Sequence, residues 1–275
     1  MTPPPLPQSR AYAATLRLLG RAPRWMDLPD RPPILAVERR LGPIPMCYLP
    51  RADLRGAGAD LARQIPRSAL TILVPEAPVP LRGAVPILTP QHVAEVTRPA
   101  DPIREALLAK MHGKWRNRLR RALEGPLQVE STDFAPAAHA PLLDLEAAQR
   151  RARGYRSYPR AFLTAWVAAN PRQARVYQAR RSGETVAAML FLLHQGGASY
   201  VLGWTGDEGR RSHAHNRLLW AAMTELFEKD IGRIDLGPVD TDSGRSLTRF
   251  KLGCGARARP LGPTLLSPPG FRVSP

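Results

Sequence analysis

From Ile103 to Leu123 the apolar residues recur every fourth position, at Ile103, Leu107, Met111, Trp115, Leu119 and Leu123. Spacing of that kind lines one helix face, and it predicts a single long helix opened by Pro102 and stopped by Gly125 and Pro126. Ahead of it the pattern changes to short apolar runs at 34–37, 44–49 and 70–74, cut by Pro- and Gly-bearing turns. These read as strands, with a helix over 53–65 and a further strand at His92–Thr97. Ser9 caps a short helix that ends at Gly20 and carries Leu16, Leu18 and Leu19 as its apolar contacts.

Behind the long helix the pattern is more regular. A strand is expected at 127–130, helices at 136–153 and 159–169, and strands at 175–180 and 185–194 joined by a hairpin turn at 181–184. A strand at 198–204 enters through a Gln-Gly-Gly turn at 195–197, followed by a helix at 212–229 carrying Leu218, Leu219, Ala222, Leu226 and Phe227 inward. A strand at 233–236, a helix at 245–252 and a strand at 257–261 complete the order β-α-α-β-β-β-α-β-α-β. The division expected from this is a disordered Pro-rich tail at 1–8, a small mixed α/β half at 9–100, a connecting helix at 101–125, a second domain at 126–262 and a tail at 263–275. No internal repeat of 20–50 residues interrupts it.

Composition narrows the class. At 44% hydrophobic and 23% charged residues the chain has the apolar content for a core, which excludes a disordered polyelectrolyte. Its longest apolar run, 186–193, is eight residues, far short of the roughly 20 that span a bilayer. The opening MTPPPLP lacks the basic-then-apolar order of a signal peptide. Cys47 and Cys254 stand alone, and His92, His112, His139 and His194 are isolated, so neither a disulfide framework nor a metal site is expected. A cytoplasmic setting follows as the expectation.

Charge adds a second feature. There are 40 Lys and Arg against 23 Asp and Glu, a net +17. Lysine accounts for only Lys110, Lys114, Lys229 and Lys251, an arginine excess that coding bias also produces. Within the long helix, however, Lys110, Lys114, Arg118 and Arg121 form a stripe flanked by Arg116 and Arg120, with no acidic residue between Glu105 and Glu124. Such a stripe is either a solvated face or a docking surface for an anion such as tRNA, acyl carrier protein, a phosphorylated co-substrate or an anionic membrane surface.

Six strings, in order, carry a resemblance: KWRNRLRR at 114–121, RGYR at 153–156, GETVA at 183–187, EGRRSHAHN at 208–216, IDLG at 234–237 and RFKLG at 249–253. Together with the element order they resemble the GNAT acyltransferase superfamily, in its FemAB-like branch and related acetyltransferase domains, over about residues 100–262. The implied fold is α/β with a mixed sheet, of the GNAT-like acyl-CoA N-acyltransferase type. The first hundred residues fit loosely the smaller, degenerate GNAT-like half of such proteins.

The resemblance implies a site. The central strand splays from its neighbour and leaves a cleft for an acyl donor, with Trp204, Thr205 and Gly206 nearest the carbonyl. The turn and helix start after it would meet a pyrophosphate through Gly209, Arg210, Arg211, Ser212, His213, Ala214 and Asn216. The family's loop reads Arg/Gln-x-x-Gly-x-Gly/Ala, and here His213 stands where glycine is expected, so a side chain narrows the backbone's approach to phosphate. Many relatives protonate the leaving thiolate with a tyrosine on the last short helix. This chain has Phe250 there, leaving a water, Ser246 or a donor other than a thioester. In FemAB-like enzymes the donor is an aminoacyl-tRNA and a basic residue near this place meets phosphate, a role that suits Arg249 and Lys251. General-base candidates are Asp240, Asp235, His213 and His215, with Asp240 just past a strand's C-terminal end and Asp235 also readable as a structural carboxylate.

The expected function is transfer of an acyl group from acyl-CoA to a primary amine by direct attack in a ternary complex, without a metal. The alternatives are aminoacyl-tRNA-dependent transfer of an amino acid, and a non-catalytic RNA- or membrane-surface-binding protein that uses the stripe at 110–121.

Overall fold

A computed structural model describes residues 2–239 and 245–270. The chain divides into two compact units, one formed by Pro7–Val93 with the return segment from Arg259, the other by Ala94–Ala258 with the first few residues.

In the first unit, helix α1 (Arg10–Leu18) is capped as expected, with Ser9 Oγ accepting the Tyr12 N–H at 3.0 Å. Strands β1 (Ala22–Met26), β2 (Ile34–Leu41), β3 (Ile44–Ala52), β4 (Leu70–Pro75), β5 (Val85–Leu88) and β13 (Thr264–Ser267) form a sheet in the order β1-β2-β3-β4-β13-β5. A two-residue turn joins β2 to β3, where Gly42 at φ 59° supplies the left-handed residue such a turn requires. Helix α2 (Gly58–Gln64) crosses between the parallel strands β3 and β4 and is shorter than the 53–65 expected. Both expected tails are corrected. Gln8 is buried and its side-chain amide donates to Leu35 O and Pro50 O, while β13 pairs with β4 and β5. Proline density and brevity hid these segments, because their order comes from partners distant in sequence.

The second unit is a seven-stranded sheet in the order β12-β6-β11-β10-β9-β8-β7. Its strands are β6 (His92–Thr97), β7 (Gln128–Asp133), β8 (Ala174–Arg181), β9 (Glu184–His194), β10 (Gly197–Thr205), β11 (Arg233–Val239) and β12 (Arg257–Pro260). The hairpin turns at 182–183 and 195–196 have all four residues at positive φ, the geometry that matches strand twist. Helices α3 (Ile103–Lys110), α4 (Gly113–Glu124) and α8 (Ala214–Glu228) share one apolar core with Tyr177, Met189, Phe191 and Ala198 of the sheet. By strand alternation Leu202 faces the other side, where it meets Leu143 of α5 (Ala140–Arg153) and Leu163 of α6 (Arg160–Ala169). Helices α7 (Asp207–Arg211) and α9 (Arg245–Gly253) complete the unit. Among the described residues no helix is long and apolar enough to cross a membrane.

The single long helix expected over 102–124 is two. Met111 and His112 are extended, with ψ of 139° and 140°, and His112 Nδ1 accepts the Lys114 N–H to start α4. A strict four-residue repeat drifts about 40° per step around an α-helix, so Leu123 would sit about 200° from Ile103 in a continuous one. The break resets the phase. It keeps Ile103, Leu107, Met111, Trp115 and Leu119 buried and leaves Leu123 exposed.

Candidate active site

The site begins where two central strands stop pairing. Strand β10 runs alongside β9 from Gly197 to Thr205, with a register shift between Tyr200 and Leu202. Against β11 it pairs in parallel only from Gly197 to Ser199, opposite Arg233 to Asp235. Both strands continue beyond that point without each other, so a gap opens between Tyr200–Thr205 and the end of β11. The Gly206 N–H donates to Val186 O of β9 at 3.0 Å; by alternation the peptide groups of Gly203 and Thr205 face the gap. Gln149 of α5 occupies them. Its Nε2 donates to Gly203 O at 2.9 Å and its Oε1 accepts the Thr205 N–H at 3.4 Å. Gly203 itself leaves room for the Tyr200 hydroxyl, which would lie 1.8 Å from a Cβ there.

On the β11 side the wall is charged and buried. Asp235, the last paired residue, accepts the Gly237 N–H at 2.7 Å. Lys251 of α9 is 5% exposed, and its Nζ donates to Pro238 O at 2.7 Å. Burial pushes the Lys251 pKa down to about 8, against the pull of the nearby Asp235 carboxylate. Arg249, two residues earlier and so about 200° away around the helix, is exposed. The two basic residues proposed for one role therefore sit in different environments. Phe250 between them packs near Trp115, whose Nε1 donates to its carbonyl at 3.0 Å.

At the end of β10 the chain enters α7 and then α8, and the sequence-predicted donor residues form one continuous turn. Gly206 is the N-cap of α7, and Gly209 packs directly on Val186 O. Arg210 donates to Thr205 O at 2.6 Å and pairs with Asp207. Arg211 pairs with Glu208 at 2.7 Å, which also meets Arg181. Ser212 Oγ donates to Glu208 O at 2.7 Å. His213 adopts φ 54° as the N-cap of α8, the left-handed conformation for which glycine is the natural choice and which costs another residue on the order of 1 kcal/mol. That explains the family's glycine at this place. Asn216 is buried with no hydrogen-bond partner for its Nδ2 among the described residues. His215 is occupied, its Nε2–H donating to Trp204 O at 2.9 Å, and burial lowers its pKa. It ties α8 to β10. Asp240, the proposed base, lies outside the described residues.

The basic stripe also meets this turn. Lys114, Arg118 and Arg121 share one exposed face of α4, and no ion pair engages them among the described residues. The His213 pKa is lowered by burial and then by the charges of Arg118 and Arg121, so that face lies close to the start of α8. Arg217 Nη1 donates to Ala122 O at 3.1 Å and joins the two helices. Lys110, on α3, is separated from the other three by the break. Among the described residues no group of His, Cys, Asp and Glu could hold a metal ion.

Sequence reasoning missed Gln149, whose position opposite β10 arises only when α5 packs on the sheet. It also missed Tyr155, although the RGYR string contains it. The Tyr155 hydroxyl accepts from Gln149 at 3.0 Å and donates to Glu146 at 3.1 Å. A larger cavity of about 320 Å³, lined by Glu38, Arg39, Arg40 and Cys47, lies in the first unit and contains none of these residues.

No curated protein matches this chain. Among solved structures, FemX matches with a TM-score of 0.77 and 14% identity, covering 98% of this chain and 93% of that one. The C-terminal domain of a proposed lysylphosphatidylglycerol synthetase from Agrobacterium fabrum matches at 0.61 and 15%, covering 95% and 88%. A tandem GNAT protein from the clavulanic acid biosynthesis pathway matches at 0.51 and 12%, covering 97% and 89%. At these identities the likeness is one of fold. The sequence match is more specific: the model described as "Acetyltransferase (GNAT) domain" aligns with residues 109–252, more than half of the chain. That stretch holds the parted strands, the donor turn and Lys251, and the chain belongs to the GNAT acetyltransferase family.

Proposed function

We propose that this protein is an N-acyltransferase that takes an acyl group from acyl-CoA and passes it to a primary amine in the gap between β10 and β11. The observation that carries the reading is the early end of β10–β11 pairing beside the buried Lys251. The acyl carbonyl would lie along the β10 edge, where the Thr205 N–H, held by Gln149 Oε1 at 3.4 Å, becomes available to an oxyanion. The amine attacks the carbonyl carbon, a C–N bond forms, and the C–S bond breaks. Lys251, as an ammonium, gives the departing thiolate its proton, the task that a tyrosine performs where one stands on this helix. Asp240 keeps its proposed role as acceptor of the amine's proton. The test is release of free thiol from a panel of acyl-CoA esters with and without a mixture of primary amines; release that requires both supports the reading, and its absence with every ester overturns it.

Arg211 has its charge already neutralised by Glu208. Arg211→Ala is therefore expected to leave the Kd for CoA within about threefold, because an exposed pair of this kind contributes about 1 kcal/mol or less. A loss beyond tenfold in a titration would show that Arg211 leaves Glu208 to meet phosphate.

A second reading, with an aminoacyl-tRNA as donor, is favoured by one observation: the face formed by Lys114, Arg118 and Arg121 adjoins His213 at the donor turn. If that face meets RNA, replacing all three residues by Gln should reduce the slope of log K against log salt by about 0.7–0.9 for every phosphate no longer neutralised. Equal slopes for wild type and triple variant on one labelled tRNA would leave the face solvated. Transfer of a labelled amino acid from charged tRNA, with no thiol release from acyl-CoA, would select this reading over the first.

A further inference from the structure

We propose that a cavity between α5, α6 and β10 is the acceptor subsite, built to take the primary ammonium group of an amine on a short aliphatic stem. The proposal deepens the acyltransferase reading and rests on it for the word acceptor, though not for the binding. The cavity measures about 240 Å³ and is lined by Leu143, Ala147, Tyr158, Leu163 and Leu202, with Asp144, Glu146, Arg150 and Arg160 as its charged members. Its far side is β10 itself, through Leu202.

Glu146 decides the chemistry. Its side chain is 5% exposed, and a buried carboxylate normally has its oxygens hydrogen-bonded. Oε1 accepts the Tyr155 hydroxyl at 3.1 Å. Oε2 has no hydrogen bond; its nearest cation is Arg150 Nε at 3.9 Å, beyond bonding distance. The other charged pair on the wall is self-contained, since Arg160 donates to Asp144 at 2.5 Å. Arg150 is 32% exposed, so water serves it and the open carboxylate oxygen is the group that lacks a partner. A donor of one positive charge with three N–H groups supplies both charge and hydrogen bond. The surrounding leucines and Ala147 suit methylene groups behind it.

The cavity also communicates with the reacting edge. Tyr155 donates to Glu146, Gln149 donates to Tyr155 at 3.0 Å, and the same amide donates to Gly203 O at 2.9 Å. Each link has a fixed direction because the carboxylate can only accept. Glu146 therefore orients the Gln149 amide so that Oε1 faces the Thr205 N–H. An ammonium bound at Oε2 would sit within three hydrogen bonds of the strand edge where the carbonyl is proposed to lie.

The experiment titrates n-butylammonium chloride into the full chain without any acyl donor, following backbone amide shifts by NMR, with 1-pentanol as the uncharged comparison. Saturable binding of the ammonium, weaker by about tenfold or more in Glu146→Gln, with shifts centred on Ala147, Leu163 and Leu202, supports the subsite. Equal affinity in wild type and variant, or no saturable binding by wild type, overturns it. Tighter binding of the alcohol than of the ammonium also overturns it. Should Glu146→Gln fail to fold, Ala147→Leu, which fills the cavity from α5, must weaken binding by a similar factor, and unchanged binding there counts against the site. Retained ammonium binding with no thiol release or aminoacyl transfer would remove the acyltransferase reading and leave the binding site standing.

Discussion

Replacing Lys251 by methionine is expected to lower kcat/KM for acyl transfer by about 10²–10³-fold, the scale seen when a preorganised charge-stabilising group is removed. The side chain is 5% exposed and holds Pro238 O at 2.7 Å, so it is fixed and largely free of water. Burial brings its pKa from 10.5 to about 8. At neutral pH it is mainly an ammonium, able to stabilise developing negative charge and to yield a proton more readily than an ordinary lysine. Activity should therefore fall on the alkaline side with an apparent pKa near 8. The residual activity of Lys251→Met should lack that limb. Stability is expected to move the other way. Between pH 8 and 10.5 the folded protein has released a proton that the unfolded chain still binds. This group's contribution to stability then rises with pH, by about 3 kcal/mol over the window. Urea titrations of both proteins at about pH 7.5 and about pH 10, either side of most of that window, measure the difference. Undiminished turnover in Lys251→Met would reduce the lysine to a structural role.

Gly209→Ala is expected to destabilise the second unit by about 3 kcal/mol, the upper part of the range for overpacking. A Cβ at this position would stand 2.3 Å from Val186 O and 2.6 Å from Thr205 Oγ1. The Val186 carbonyl cannot withdraw cheaply, because it accepts the Gly206 N–H at 3.0 Å and so closes the end of β10 onto β9. Helix α7 must move instead, and it carries the turn that leads to His213. Thermal unfolding should drop by about 6–12 °C for a unit of this size, and CoA affinity should fall with it. Gly113→Ala provides the control. That glycine opens α4 with nothing within 4 Å of a Cβ, so alanine should be neutral or stabilising by up to about 1 kcal/mol. A loss below about 1 kcal/mol in Gly209→Ala, under the usual cost of overpacking, would mean that α7 slides without cost.

Much of the second unit was legible from local pattern. The hairpin turns at 182–183 and 195–196 need positive φ at residues that tolerate it, and β8, β9 and β10 follow from alternation on either side. The donor turn was legible from its string, including the anomalous His213, because a left-handed N-cap is a property of a few consecutive residues. The break at Met111–His112 was implicit in a repeat of four that no continuous helix can keep on one face, yet it was missed. Strand β13 and the buried Gln8 could not be read locally, since each is ordered by partners far away in the chain.

What the sequence by itself determined is the family, the order of elements and the segment expected to meet the donor, since these depend on residue types at short spacing. Tertiary structure alone decided which charges are available for chemistry. Arg249 and Lys251 are two residues apart and chemically alike, but α9 turns one to solvent and buries the other. Arg211 looked free and is paired, whereas Glu146 looked like one more surface acid on α5 and is enclosed with an oxygen left open. The reason is physical: a side chain's charge is written in the sequence, while the water and partners that set its energy come from elements folded against it.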